Sequence, residues 1–159
     1  MAEYPTRSPL KVADAIRDII KDKTVCEVGC CEGDLLMEFK KYAKRVVGIE
    51  KNEERFRKAK KKGIEVYLGI GQDVSIPEAD VYYLWLTGRE PYYILKNIKK
   101  GVIVAGMNGY SKEDLAMFIP PNAEITGVRH DEWDSEGFTR GWDTNNHIFK
   151  LAIWTKELK

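Results

Sequence analysis

Acids and glycines are interleaved in one short stretch of this chain: Glu27, Gly29, Cys31, Glu32, Gly33 and Asp34, with Glu50 further on. Glycine lets a backbone approach a ligand closely, because no Cβ stands in the way. An ionised carboxylate accepts hydrogen bonds at both oxygens, so an acid such as Glu50 can take both hydroxyls of a ribose. The apolar run 25–28 reads as a buried strand, Gly29 and Gly33 as a turn, and Asp34 as the N-cap of a helix. A second apolar run, 46–49, ends in Glu50. A glycine turn after one parallel strand and an acid after the next is the arrangement that holds an adenosine-containing cofactor.

The residues also select among such cofactors. A dinucleotide fingerprint requires Gly-x-Gly-x-x-Gly, and here Cys31 and Asp34 occupy two of its glycine positions. A pyrophosphate needs close amide approach at a helix N-terminus, where Asp34 would repel it. An oxidoreductase using NAD is therefore disfavoured. S-adenosylmethionine (SAM) carries no phosphate. Its ammonium and sulfonium suit a loop crowded with Glu27, Glu32 and Asp34.

On these residues the chain resembles the class I SAM-dependent methyltransferases. Their first motif, Glu-x-Gly-x-Gly-x-Gly, is matched at Glu27, Gly29 and Gly33, with Cys31 standing at the remaining glycine. The resemblance implies that Glu50 holds the ribose and that Glu27 meets the methionine-end ammonium. It implies that Asp73 accepts from the adenine amino group, that the Val74 amide meets a ring nitrogen, and that Leu84 lies beside the cofactor. The leader Tyr4-Pro5-Thr6-Arg7-Ser8-Pro9 is similar to that of small archaeal-type protein lysine methyltransferases, in which it folds over the cofactor. Tyr4 and Thr6 are the matching positions.

The acceptor is read from what the chain lacks and what it adds. Leu84-Trp85-Leu86-Thr87 stands where nucleic-acid aminomethylating enzymes carry Asp/Asn-Pro-Pro-aromatic, so a nucleic-acid acceptor is disfavoured. No Pro-Cys pair is present for attack on cytosine. Methyl transfer from a sulfonium is an in-line displacement, and positioning supplies much of its acceleration. No catalytic side chain is therefore assigned. The segment 130–143 is acidic and aromatic, and its carboxylates and ring faces suit a cationic amine. Trp85, Trp133, Asp134 and Trp142 are the expected substrate-side residues. The expected function is N-methylation of an amine, on a protein lysine or a small molecule. The alternatives are a SAM-binding module without transferase activity and an RNA methyltransferase.

Composition narrows the setting. The 159 residues, 43% hydrophobic and 32% charged with a net charge of +1, suit one globular domain spanning 1–159. No run is long and apolar enough for a membrane span or a signal peptide. Three clustered cysteines, at 26, 30 and 31, make a poor disulfide framework and point to a reducing cytoplasm. Two histidines, His130 and His147, are not spaced for zinc, so no metal is expected. Abundant lysine and glutamate beside a single glutamine, Gln72, lean toward a thermophile. The basic run Arg55–Lys62 reads as a solvated helix rather than an RNA track.

These residues must be positioned by alternating elements. Helices are expected over 9–20, with Pro9 at the first helical position, 34–43, 53–62 and 91–98, with a short one after Ser111. Strands are expected over 25–28, 46–49, 64–68, 79–86, 102–105, 125–130 and 147–154. The alternation implies an α/β fold, a doubly wound, mostly parallel sheet. Seven strands with the last one reversed agree with the methyltransferase resemblance.

Overall fold

The computed structural model describes residues 7–69, 75–133 and 147–157. Within them lies a single seven-stranded sheet. Its strands are β1 (Thr24–Val28), β2 (Arg45–Glu50), β3 (Glu65–Leu68), β4 (Val81–Leu84), β5 (Gly101–Gly106), β6 (Glu124–Arg129) and β7 (Ile148–Lys156). The order across the sheet is β3-β2-β1-β4-β5-β7-β6. The first five strands are mutually parallel, and β7 runs antiparallel to both β5 and β6. The doubly wound sheet with a reversed last strand is therefore observed.

Alternate residues of each strand feed two apolar layers. Val25, Val46, Tyr83 and Val104 pack with Val12, Ile16, Leu35, Leu36 and Phe39. The last five come from α1 (Lys11–Ala15), the residue after it, and α3 (Asp34–Phe39). Cys26, Val47, Tyr82 and Ile103 point the other way, onto Ile94 and Leu95 of α5 (Glu90–Asn97). Gly48 of β2 has no room for a side chain: a Cβ there would lie 2.6 Å from Cys30 Sγ and 2.8 Å from Leu36 Cδ1. That absence lets α3 press directly on the sheet.

Several boundaries differ from the sequence reading, each for a local reason. The first helix is broken at Ile16 (φ −111°, ψ 15°) into α1 and α2 (Arg17–Ile20). The helix after the glycine turn is not capped by Asp34. Its N-cap is Gly33, left-handed at φ 87°, and Asp34 is its first residue, paired with Lys62 Nζ at 2.6 Å. That helix also ends at Phe39, where Tyr42 and Ala43 both donate to the Phe39 carbonyl. β4 is shorter than 79–86. At its start the Ala79 amide donates to the Tyr82 hydroxyl. At its end the Leu86 amide and carbonyl both turn to the Tyr110 hydroxyl.

Two caps follow the sequence. Asn52 Oδ1 accepts from the Arg55 amide at 2.9 Å and starts α4 (Glu53–Lys61). Ser111 Oγ accepts from the Asp114 amide at 3.1 Å and starts α6 (Lys112–Phe118). Much of the basic run is a solvated face, as expected: Arg57 pairs with Glu53 and Lys58 with Glu54 and Glu32.

Candidate cofactor and acceptor site

The carboxyl ends of β1, β2, β4 and β5 open into a cavity of about 680 Å³. That size accommodates a drug-sized ligand. Its floor is Glu27, Val28 and Gly29 at the end of β1, with Cys31 beyond. Gly29 (φ 82°) and Cys31 (φ 54°) both adopt the left-handed region. Cys31 therefore takes the turn conformation for which a glycine is the usual residue.

Glu50 is the most constrained acid of the site. Its Oε1 accepts from the Cys31 amide at 2.7 Å, and its Oε2 accepts from the Asn52 amide at 2.8 Å. Each oxygen keeps a further lone pair. The acid thus faces the cavity in a fixed orientation while tying the β1 turn to the start of α4.

Glu27 is the opposite case. It is 5% exposed, and its Oε1 has no hydrogen-bond partner among the described residues. Burial first, and then the charge of Glu50, hold its carboxyl well above the usual range. A buried carboxylate without a donor is costly and calls for a cation. The same surroundings quiet the neighbouring thiols. Burial, with Glu27 adding, pushes Cys31 up to about 12, and Cys30 is raised as well. Neither thiol is an activated nucleophile.

The wall beyond β4 is aromatic. Trp85 lines the cavity, donates through Nε1 to the Asn108 carbonyl at 2.9 Å, and stacks on Trp133 with centroids 5.4 Å apart. Phe149 closes edge-on against both tryptophans. Asn108 is held in turn. Its Nδ2 donates to the Ile148 carbonyl, and its Oδ1 accepts from the Lys150 amide. Tyr110 and Asp114 line the same end of the cavity, and Thr87 and Glu90 line it from the loop after β4.

The expected site residues thus separate. Glu27, Gly29, Cys31, Glu50 and Trp85 converge on the cavity. Gly33 does not line it: a Cβ there would lie 2.5 Å from Ile64 Cδ1 and 3.4 Å from Ala59 Cβ, so this glycine serves the packing of the turn against α4 and Ile64. Leu84 is buried in β4 within the α5 layer. Trp133, 9% exposed, backs Trp85 instead of facing the cavity. Tyr4, Thr6, Asp73, Val74, Asp134 and Trp142 lie outside the described residues.

Some lining residues carried no expectation. Lys51, Arg55, Glu90, Asn108, Tyr110 and Asp114 reach the cavity without one, whereas Arg7 and Ser8 belong to the leader that the resemblance lays over the cofactor. Only Arg55 offered a signal: it is a cation in the first turn of a helix, where the dipole disfavours one.

Comparison with solved structures places the fold. A tRNA methyltransferase, TrmI, from Aquifex aeolicus is 18% identical at a TM-score of 0.70, over 100% of this chain and 73% of that one. An RNA methyltransferase from Salinibacter ruber, solved with S-adenosyl-L-homocysteine, is 17% identical at 0.64, over 96% and 95%. The N-methyltransferase NodS from Bradyrhizobium japonicum is 10% identical at 0.66, over 93% and 94%. The chain has the Rossmann-like fold of these SAM-dependent enzymes. No family model and no curated protein matches it.

Proposed function

We propose that this chain is a SAM-dependent methyltransferase whose acceptor is an amine, on a protein lysine or a small molecule. The observation that carries the reading is Glu50, a carboxylate fixed by two backbone amides at the mouth of a glycine turn. Its remaining lone pairs suit the two ribose hydroxyls. The partnerless Glu27 oxygen suits the ammonium of a methionine moiety. Both residues fit SAM, and a phosphate-bearing cofactor would meet two acids instead.

When bound, SAM supplies a methyl group on a sulfonium, already activated for transfer. The chain then has to bind, orient and exclude water. Trp85 and Tyr110 offer aromatic walls at the acceptor end, and Asp114 and Glu90, paired with Arg89 and Lys51, bring carboxylates there. Such a surface draws in an ammonium ion. An amine attacks only when neutral, so the acceptor sheds a proton to water before transfer. Three clustered cysteines, none in a disulfide among the described residues, suit the reducing cytoplasm in which we place the protein.

The test uses methyl-labelled SAM and a cell lysate, with the products divided by protease and by ribonuclease treatment. Label in protein or in small amines supports the proposal. Label in RNA, the acceptor class of two of the compared proteins, replaces the amine and leaves the cofactor standing. SAM binding without label transfer identifies a binding module.

A further inference from the structure

Resting on the SAM reading above, we infer that Tyr110 is a positioning residue: from the acceptor end of the cavity it holds the cofactor turn in place, acting through Leu86. The ladders that β4 makes with β1 and β5 stop at Leu84, so the chain leaves the sheet there. Backbone groups withdrawn from water need partners, and at Leu86 one side chain serves both. The Leu86 amide donates to the Tyr110 hydroxyl at 3.0 Å, and that hydroxyl donates to the Leu86 carbonyl. A phenol can do both at once. The two bonds fix the backbone of Leu86 and, with it, the direction of its side chain. That side chain lies against the turn. A Cβ on Gly29 would stand 2.4 Å from Leu86 Cδ2 and 3.7 Å from Leu86 Cγ.

Tyr110 is itself braced. It is 4% exposed, packs with Met107 and Leu115, and meets Phe118 edge-on with ring centroids 5.5 Å apart. Two residues earlier, Asn108 is tied to Ile148 and Lys150 of β7, and its carbonyl accepts from the Trp85 indole. The segment 108–110 therefore holds both residues of the β4 exit, Trp85 by its ring nitrogen and Leu86 by its backbone. Of the two, Leu86 is the one that reaches Gly29.

The experiment is a double-mutant cycle read by calorimetric SAM affinity. Tyr110→Phe keeps the ring and its contact with Phe118 and deletes the hydroxyl; SAM affinity should fall by about fivefold to thirtyfold. Leu86→Ala should weaken SAM as well. With Leu86→Ala already present, Tyr110→Phe should change the affinity by less than about twofold, because the side chain it positions is gone. Ile98→Val, buried at the end of α5 remote from Glu90, should lower the melting temperature and leave SAM affinity at the wild-type value, which separates positioning from a general loss of stability. Three results overturn the assignment: Tyr110→Phe with a lower melting temperature but unchanged SAM affinity, losses that multiply in the double variant, or an equal affinity loss in Ile98→Val. If Tyr110→Phe fails to fold, Leu86→Ala decides, and wild-type SAM affinity there overturns it. A wild type that does not bind SAM overturns the cofactor reading itself, and this role of Tyr110 with it.

Discussion

Glu50 Oε1 and the Cys31 amide lie 2.7 Å apart, so the acid that ends β2 fixes the turn that leaves β1. Ligand geometry and local folding therefore depend on one carboxylate. Glu50→Ala should remove hydrogen bonds to the ribose and leave the Cys31 and Asn52 amides without their acceptor. The expected cost in SAM affinity is about 2–4 kcal/mol, accompanied by a lower melting temperature. Calorimetry and thermal melts on one preparation check both, and an unchanged SAM affinity rules out the ribose role.

Glu27 makes cofactor binding depend on pH. Its carboxyl is raised by burial and by Glu50, so it holds a proton above the usual carboxyl range until a cation arrives. A cationic cofactor should expel that proton, and SAM affinity should rise with pH between the ordinary and the raised values. Folding has the opposite slope. Over that window the native state binds more protons than the unfolded one, so stability falls as pH rises. Glu27→Gln should remove both slopes, weakening SAM while raising stability at the upper end of the window. Calorimetry in buffers of different ionisation enthalpy detects the released proton.

The two glycines of the turn should fail differently. Gly29→Ala places a Cβ 2.4 Å from Leu86 Cδ2, at the cavity floor and at positive φ. The strain is about 1–2 kcal/mol, and SAM binding should be lost from a folded protein. Gly33→Ala meets Ile64 Cδ1 at 2.5 Å and Ala59 Cβ at 3.4 Å. Its cost should appear first as a lower melting temperature. Full SAM binding by Gly29→Ala would mean that the ligand lies elsewhere.

At the acceptor end, the stack of Trp85 on Trp133 separates packing from contact. Trp133→Ala should destabilise the fold by about 3–5 kcal/mol, because it empties a buried position behind the cavity wall. Asp114→Asn keeps the shape and removes a charge. It should slow methyl transfer to an amine while leaving SAM affinity within about twofold. Wild-type transfer by Asp114→Asn sinks the cationic-acceptor reading.

The cofactor half of the site was legible because its geometry is local. Glu27 and Glu50 stand at the carboxyl ends of β1 and β2, Gly29 follows β1 directly, and Asn52 caps the next helix within three residues of its partner. The acceptor half was not, because it is assembled over long separations. Tyr110 reaches Leu86 from after β5, Trp133 reaches Trp85 from beyond β6, and Arg7 meets Glu132 across 125 positions. No spacing in the chain encodes those meetings. The Gly33 N-cap was misread as Asp34 because propensity favours a side-chain cap, whereas the turn needed a left-handed residue.

The strand order carries a consequence for synthesis. β7 lies between β5 and β6, yet it follows both in the chain. As the chain leaves the ribosome, β6 has no strand to pair with, and the far side of β5 stays open until β7 arrives. Glu132, which anchors Leu10 and Lys11, is also made long after them. The nascent chain must therefore hold an exposed sheet edge in solution, which invites capture by chaperones or by another nascent copy. Insertion of β7 closes that edge and gives β6 its partner.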